Sequence, residues 1–308
     1  MNGMTGKDWS MLIVLSTFWG CSFLFIGIAV KDLPPLCIVA LRVSLAALAL
    51  LGITRLLHVA LPQDRTIWGS FLIMGMLNNV IPFGLIVWAQ TSIAGGLASI
   101  LNATTPLMTI IVAHYLTSDE KVTPRKALGI LTGFIGVALV MGPQASQGAN
   151  SSVLACLAVL GAALSYAFAS LFGRRFRAMG VSPVLSATGQ VMASATLLAP
   201  ITLVVDQPWT LTMPGWQTWV AIAGLAIFST ALAYVLFFRL LASAGATNLM
   251  LVTLLVPVSA LLLGWFVLDE ALEPTHFAGM AVIAAGLLAL DGRVMRLIKR
   301  SEPTVSLK

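Results

Sequence analysis

Two stretches of this 308-residue chain place polar side chains beside helix-breaking prolines. That pattern suits the recognition of a ligand better than the making or breaking of a bond. Gly95, Ser99, Asn102 and Pro106 fall at i, i+4, i+7 and i+11, along one helical face. Ala246, Met250, Thr253 and Pro257 repeat the spacing. A proline within a helix frees the carbonyl four residues earlier. Those carbonyls belong to Asn102 and Thr253, so each freed acceptor lies beside a polar side chain. Two uses stay open: paired sites for a substrate's amino or carboxyl group, or side chains that re-satisfy a broken helix.

Asn78, Asn79 and Pro82 form a further interruption. Asn79, Phe83 and Ile86 share a face, matched later by Thr230, Tyr234 and Phe237. One polar group with two large side chains suits an amphipathic, partly aromatic ligand, and equally suits helix packing. Trp19 with Phe23, and Tyr166 with Ser165 and Phe168, offer ring faces for stacking. The candidate substrate-binding set is therefore Trp19, Phe23, Asn79, Phe83, Ser99, Asn102, Tyr166, Thr230, Tyr234, Phe237 and Thr253. Arg42 is the one formal charge inside an apolar segment, where an unpaired guanidinium is costly. It could hold a substrate carboxylate or bond helix-end carbonyls. The uncharged Gln190 at its matching position favours the structural role.

Motifs for bond chemistry are missing from the sequence. It holds no HExxH, no mid-segment carboxylate pair and no phosphate-binding GKS or GKT. No enzyme activity, ATP, metal or other cofactor is expected. Cys21, Cys37 and Cys156 have no paired spacing and read as free buried thiols.

The elements that must position these residues follow from composition. Charged residues make up 9% of the chain and hydrophobic residues 59%, with a mean hydropathy of +0.99. An ordinary soluble domain carries about 25% charged residues. A soluble enzyme, a nucleic-acid binder and a disordered chain are excluded, leaving a polytopic membrane protein in a lipid bilayer. Long apolar runs also exclude a β-barrel, which needs short alternating segments. Charge-poor windows at Trp9–Val30, Leu33–Thr54, Thr66–Ser118, Ala127–Gly173, Ala178–Val205, Gln207–Phe238, Leu240–Leu268 and Pro274–Leu290 supply the spans. Thr66–Ser118 turns at Thr91–Gly96, and Ala127–Gly173 turns at Gly142–Ser152, so the total is ten helices. With both ends cytoplasmic, all Lys and Arg but Lys31 and Arg42 fall inside, as the positive-inside rule requires. The eight residues before the first span hold no signal peptide. Trp9, Trp68, Trp209, Trp216 and Trp219 lie near span ends and read as interface anchors.

The halves repeat. At an offset of 150, Asp119-Glu120 matches Asp269-Glu270, Pro124 matches Pro274, and Gly129, Gly136 and Gly142 match Gly279, Gly286 and Gly292. Pro106 matches Pro257, Pro35 matches Pro183 and Trp19 matches Tyr166 at nearby offsets. Five spans per half is odd, so the second half enters the membrane from the other side. The expected organisation is residues 1–146 and 147–300 as inverted five-helix repeats, with 301–308 a cytoplasmic tail. Gly129 and Gly133 allow close helix contact, within the chain or across a homodimer, so a monomer or a homodimer is expected. The acidic pairs cap helix ends, tie loops or gate the two faces.

Phe18-Trp19-Gly20-Cys21-Ser22-Phe23, then Pro35 and Leu41-Arg42, is similar to the opening signature of the drug/metabolite transporter superfamily in its ten-helix EamA branch. Pro257-Val258, Leu268-Asp269-Glu270, Gly279 and Gly286 resemble the branch's ending. The likeness covers nearly the whole chain and is greatest to YddG-type aromatic amino acid exporters. It implies a small-molecule substrate cavity between the halves, alternating access, and a place in the bacterial inner membrane. Aromatic or hydrophobic amino acids are the expected cargo; the alternative is a multidrug, cationic-compound or other metabolite exporter. No Asp or Glu lies mid-span, so facilitated export or coupling at the gates is expected, with sodium coupling left open.

Overall fold

A computed structural model describes residues 4–118, 120–146, 150–271 and 273–291. Asp119, Gly292, the carboxy-terminal basic residues Arg293, Arg296, Lys299, Arg300 and Lys308, and the tail 301–308 lie outside the described residues. Within them the chain is all-α: α1 (Gly6–Ala29), α2 (Pro35–Leu56), α3 (Arg65–Ala89), α4 (Gly95–Leu116), α5 (Pro124–Ser146), α6 (Asn150–Ala178), α7 (Pro183–Val205), α8 (Trp216–Gly245), α9 (Leu251–Leu268) and α10 (Pro274–Asp291). Among the described residues, nine helices are long and apolar enough to cross a membrane, and Pro274–Leu290 is a shorter apolar helix. Helices form because hydrocarbon offers no partner to backbone N–H and C=O groups.

The matched prolines Pro35 and Pro183, and Pro124 and Pro274, each open a helix. There the missing N–H costs nothing and the fixed φ suits the first turn. This is why the prolines carry the register of the repeat.

Three boundaries differ from the sequence reading. Gln207 does not open a span: it has a left-handed backbone (φ 44°), a short turn covers Pro208–Thr210, and α8 begins at Trp216. Arg239 is not in a connection but on the exposed side of α8, which continues to a kink at Gly245 (φ 79°). The turn read at Gly142–Ser152 is shorter, because α5 runs to Ser146 and α6 starts at Asn150. Polar composition marks a loop poorly when helix continues beyond the apolar layer.

Packing obeys the symmetry of the halves. α1 packs on α9 as α6 packs on α4, and α3 packs on α6 and α7 as α8 packs on α1 and α2. α2 with α7, and α5 with α10, are self-matched pairs. The α5–α10 contact uses the repeated glycines. A Cβ added at Gly286 would sit 2.6 Å from the Gly129 carbonyl oxygen and 2.8 Å from the Gly133 nitrogen. The glycines read as a contact within the chain or between copies thus serve the chain itself.

Gly286→Ala is expected to lower the thermal unfolding midpoint in detergent, by about 1–3 kcal/mol of overpacking. At Gly142 an added Cβ meets nothing within 4 Å. There alanine should leave the midpoint level or raise it, since alanine favours helix over glycine. Equal midpoints for both variants would remove the close approach as a source of stability.

Candidate functional site

Polar side chains collect where α2, α3, α7 and α8 meet, and the helices there are locally distorted. α3 contains a π-helical turn at Met76–Val80, and α8 contains one at Ile227–Leu232. Such turns insert a residue and re-aim side chains. Both are tied across the bundle by a hydroxyl. Ser165 Oγ donates to the Leu77 carbonyl at 2.7 Å, and Ser229 Oγ donates to the Phe18 carbonyl at 2.6 Å.

Asn78, Asn79 and Tyr234 share one network. Asn78 Nδ2 donates to Gln190 Oε1 and to Tyr234 Oη, both at 2.9 Å. Tyr234 Oη donates to Asn79 Oδ1 at 2.9 Å. Asn79 Nδ2 donates to Ser194 Oγ at 2.9 Å, and that hydroxyl donates onward to the Gln190 carbonyl at 2.7 Å. Asn79, Gln190 and Ser194 are buried. Every bond from Asn78 or Asn79 to another side chain joins one half of the chain to the other.

Arg42 lies beside this network and is 5% exposed. Its Nε donates to Thr230 Oγ1 at 2.9 Å, and Thr230 Oγ1 donates to the Leu225 carbonyl at 2.8 Å. The guanidinium carbon sits 3.7 Å from the Phe83 ring centroid, a cation–π distance. The helix-end carbonyl expected as its structural partner is not used; Thr230 is brought there by the π-helical turn. Trp19 and Phe237 lie nearby in the core with ring centroids 5.8 Å apart, and half-buried Tyr166 packs against the same core.

Thus Thr230, Tyr234, Asn79 and Phe83 meet at one site, with Trp19 and Phe237 in mutual contact. Other candidates do not join them. Phe23 is core, 4% exposed. Ser99 Oγ is spent on the Gly96 carbonyl at 2.6 Å. At the first proline break, the freed Asn102 carbonyl accepts from Thr105 Oγ1 at 2.7 Å, while Asn102 Oδ1 is buried without a partner. Thr253 Oγ1 donates to the Met250 carbonyl at 2.6 Å. Phe168 is exposed and Ser165 is a helix tie, so neither stacks here. Trp68 packs edge-on against Phe71 and donates to the Pro62 carbonyl at 2.9 Å.

Thr253 instead lines an apolar cleft of about 200 Å³ between α4, α9 and α10, with Pro106, Ile110, Met250 and Leu287. The cleft shares no residue with the polar network. Sequence reasoning passed over Ser194 and set Arg42 and Gln190 aside. The offset pairing Arg42 with Gln190, and Ser194 one turn on from Gln190, carried the signal.

The two ends of the bundle are fastened differently. At one end, carboxylates of one half cap helices of the other. Glu270 accepts from Gly95 N at 2.8 Å and Gly96 N at 3.1 Å. Asp206 accepts from Cys37 N at 2.8 Å, and Asp32 from Thr218 Oγ1 at 2.5 Å. Each places negative charge on a helix N-terminus, where the dipole favours it. At the other end the ties are side chain to side chain: Glu120 pairs with the exposed Arg174 at 2.5 Å, and Asp8 Oδ1 accepts from Ser243 Oγ at 2.6 Å.

Comparison with known proteins agrees with this architecture. The EamA-like transporter family matches the chain twice, over residues 9–142 and 153–290. The uncharacterized transporter YoaV of Bacillus subtilis (strain 168) is 24% identical, over 90% of this chain and 94% of that protein. A probable amino-acid metabolite efflux pump of Escherichia coli (strain K12) is 27% identical, over 92% and 94%. The uncharacterized inner membrane transporter YedA of the same strain is 26% identical, over 88% and 86%. A crystal structure aligns with a TM-score of 0.67 at 19% identity, over 95% of this chain and 99% of that one, a likeness of fold. With two matches to one family, ten apolar helices among the described residues and a symmetric packing scheme, the chain belongs to the EamA-like transporter family and is a multi-pass membrane transporter.

Proposed function

We propose that this transporter exports small amphipathic metabolites, foremost aromatic or hydrophobic amino acids, by alternating access between the repeats 1–146 and 147–300. The observation that carries it is the pairing of a buried polar network with ring faces at the junction of the halves. Both halves contribute to it, so relative motion of the halves would expose it to one side and then the other. The resemblance to an amino-acid metabolite efflux pump supports the same cargo. A multidrug or cationic-compound exporter is the alternative.

The carboxylate caps across the halves support a state closed at the Gly95 end. With the termini in the cytoplasm of a bacterial inner membrane, the closed end faces outward and the apolar cleft faces inward. The cleft is then the cytoplasmic approach, and the acidic residues are end caps rather than substrate ligands.

The test is exchange of labelled phenylalanine, threonine and methionine in proteoliposomes, with and without a pH gradient. Saturable flux without a gradient is expected. Thr253→Trp should fill the cleft and cut flux at least about tenfold, because the added ring occupies the approach. Absence of flux for every amino acid would shift the assignment to the alternative cargo, and full flux with the tryptophan in place would remove the cleft from the path.

A further inference from the structure

The geometry points to Arg42 as the anchor for a carboxylate group on the transported molecule. This names the substrate class of the site described above and rests on the transporter reading.

A guanidinium stays protonated at any physiological pH and carries five N–H donors. Arg42 uses one of them, Nε–H to Thr230, among the described residues. Neither terminal nitrogen hydrogen-bonds a described residue, and neither is fully enclosed, although the residue is 5% exposed. These nitrogens therefore border a space that a water-sized group can reach.

No described carboxylate balances the charge. Asp8, Asp32, Asp206 and Glu270 are committed to helix ends and to hydroxyls at the ends of the bundle. Glu120 is paired with Arg174, and Asp64 and Glu273 bond neighbouring threonines. The groups packed around Arg42 are the neutral Thr230 and Phe83, with the hydroxyls of Tyr166 and Tyr234 within electrostatic reach. A buried cation without an anionic partner is unfavourable, and one aromatic face and one hydroxyl compensate it only in part. A carboxylate fits the remaining fork with two parallel N–H···O bonds. The Phe83 ring on the guanidinium gives its apolar part a surface, and the Trp19–Phe237 pair continues to Tyr234 through Phe238.

A cationic solute would instead meet an uncompensated like charge. The arrangement thus separates a carboxylate exporter from a cationic-drug exporter, which the family likeness does not.

The experiment uses the full chain in nanodiscs, with binding read by calorimetry. Three probes share a phenyl ring: phenylalanine, 3-phenylpropionate, which lacks the amino group, and phenethylamine, which lacks the carboxylate. Wild type should bind both carboxylates and lose roughly 10–100-fold in affinity for phenethylamine, the loss expected for hydrogen bonds to a charged group. Arg42→Gln should weaken both carboxylates by a similar factor and strengthen phenethylamine binding, because the like charge is gone. Arg42→Lys, which keeps the charge, should recover part of the loss. The wild-type ligand series carries the test even where a variant fails to fold. Equal affinity for phenethylamine and phenylalanine, or full carboxylate binding by a folded Arg42→Gln protein, overturns the proposal. So does failure of every carboxylate to bind. Binding of 3-phenylpropionate through Arg42, with no amino acid bound or transported, would sustain the anchor while the amino-acid reading fails.

Discussion

Asn79→Leu is expected to abolish measurable flux and to destabilise the protein by about 1–3 kcal/mol, the cost of leaving a buried polar group unsatisfied. Asn79 is fully buried and bridges the halves, accepting from Tyr234 Oη and donating to Ser194 Oγ. Leucine removes both bonds. Tyr234 then keeps Asn78 as a donor but loses the acceptor for its own proton. Ser194 is less affected, because its proton still reaches the Gln190 carbonyl. The penalty therefore concentrates on the tyrosine. Tyr234→Phe should cost somewhat less and leave Asn79 Oδ1 unpaired. The double variant should lose less than the sum of the two, since neither partner is then orphaned, with a coupling of about 0.5–3 kcal/mol. Thermal unfolding of the four proteins in one detergent measures this cycle. Strict additivity would mean that the hydrogen bond does not join the halves in solution.

Glu270→Gln is expected to shift the transporter toward a state open at the Gly95 end. The carboxylate holds two backbone N–H groups of α4 at 2.8 and 3.1 Å, from the opposite half of the chain. It sits in a notch that only glycine leaves free, because a Cβ at Gly264 would overlap the Glu270 carboxylate. Bonds to a charged group contribute about 1.5–3 kcal/mol each. A neutral amide keeps one acceptor and loses the charge that the α4 dipole favours. A loss near 1.4–2.8 kcal/mol would move the balance between states by about 10–100-fold. Spin labels at Ser92 and Ala271, both exposed beside this cap, should report longer distances in the variant. Gly264→Ala should push the carboxylate aside and give the same change by an independent route. Unaltered distances in both variants would reduce Glu270 to a loop tie without a part in gating. At the other end, Glu120 pairs with Arg174 and Asp8 accepts from Ser243 Oγ. The matched residues Glu120 and Glu270 therefore make different bonds at the two ends.

Much of the architecture was legible because the membrane imposes a one-dimensional rule. A segment must be apolar for about 20 residues or it cannot span, and composition along the chain records that directly. The prolines at 35, 124, 183 and 274 register the repeat because helix starts tolerate them. Spacing also placed Asn79, Phe83, Thr230 and Tyr234 on matched faces, and these do converge. Ser99, Asn102 and Thr253 had equally good spacing and do not. The difference is local: at each of these three positions a side-chain or neighbouring hydroxyl satisfies a helix carbonyl, which spacing alone cannot distinguish from ligand contact.

The sequence by itself determined the all-helical membrane class, the count of apolar helices, the inverted repeat and the residues available for recognition. Each depends on local composition or on periodicity, which survive in one dimension. Only the tertiary structure decided the partner of Arg42, the bonding of Asn78 to Gln190, the use of the glycines between α5 and α10, and the helix that Glu270 caps. These contacts join residues far apart in sequence. π-helical turns and the angle between packed helices fix their geometry, and neither is written in the period of hydrophobic residues.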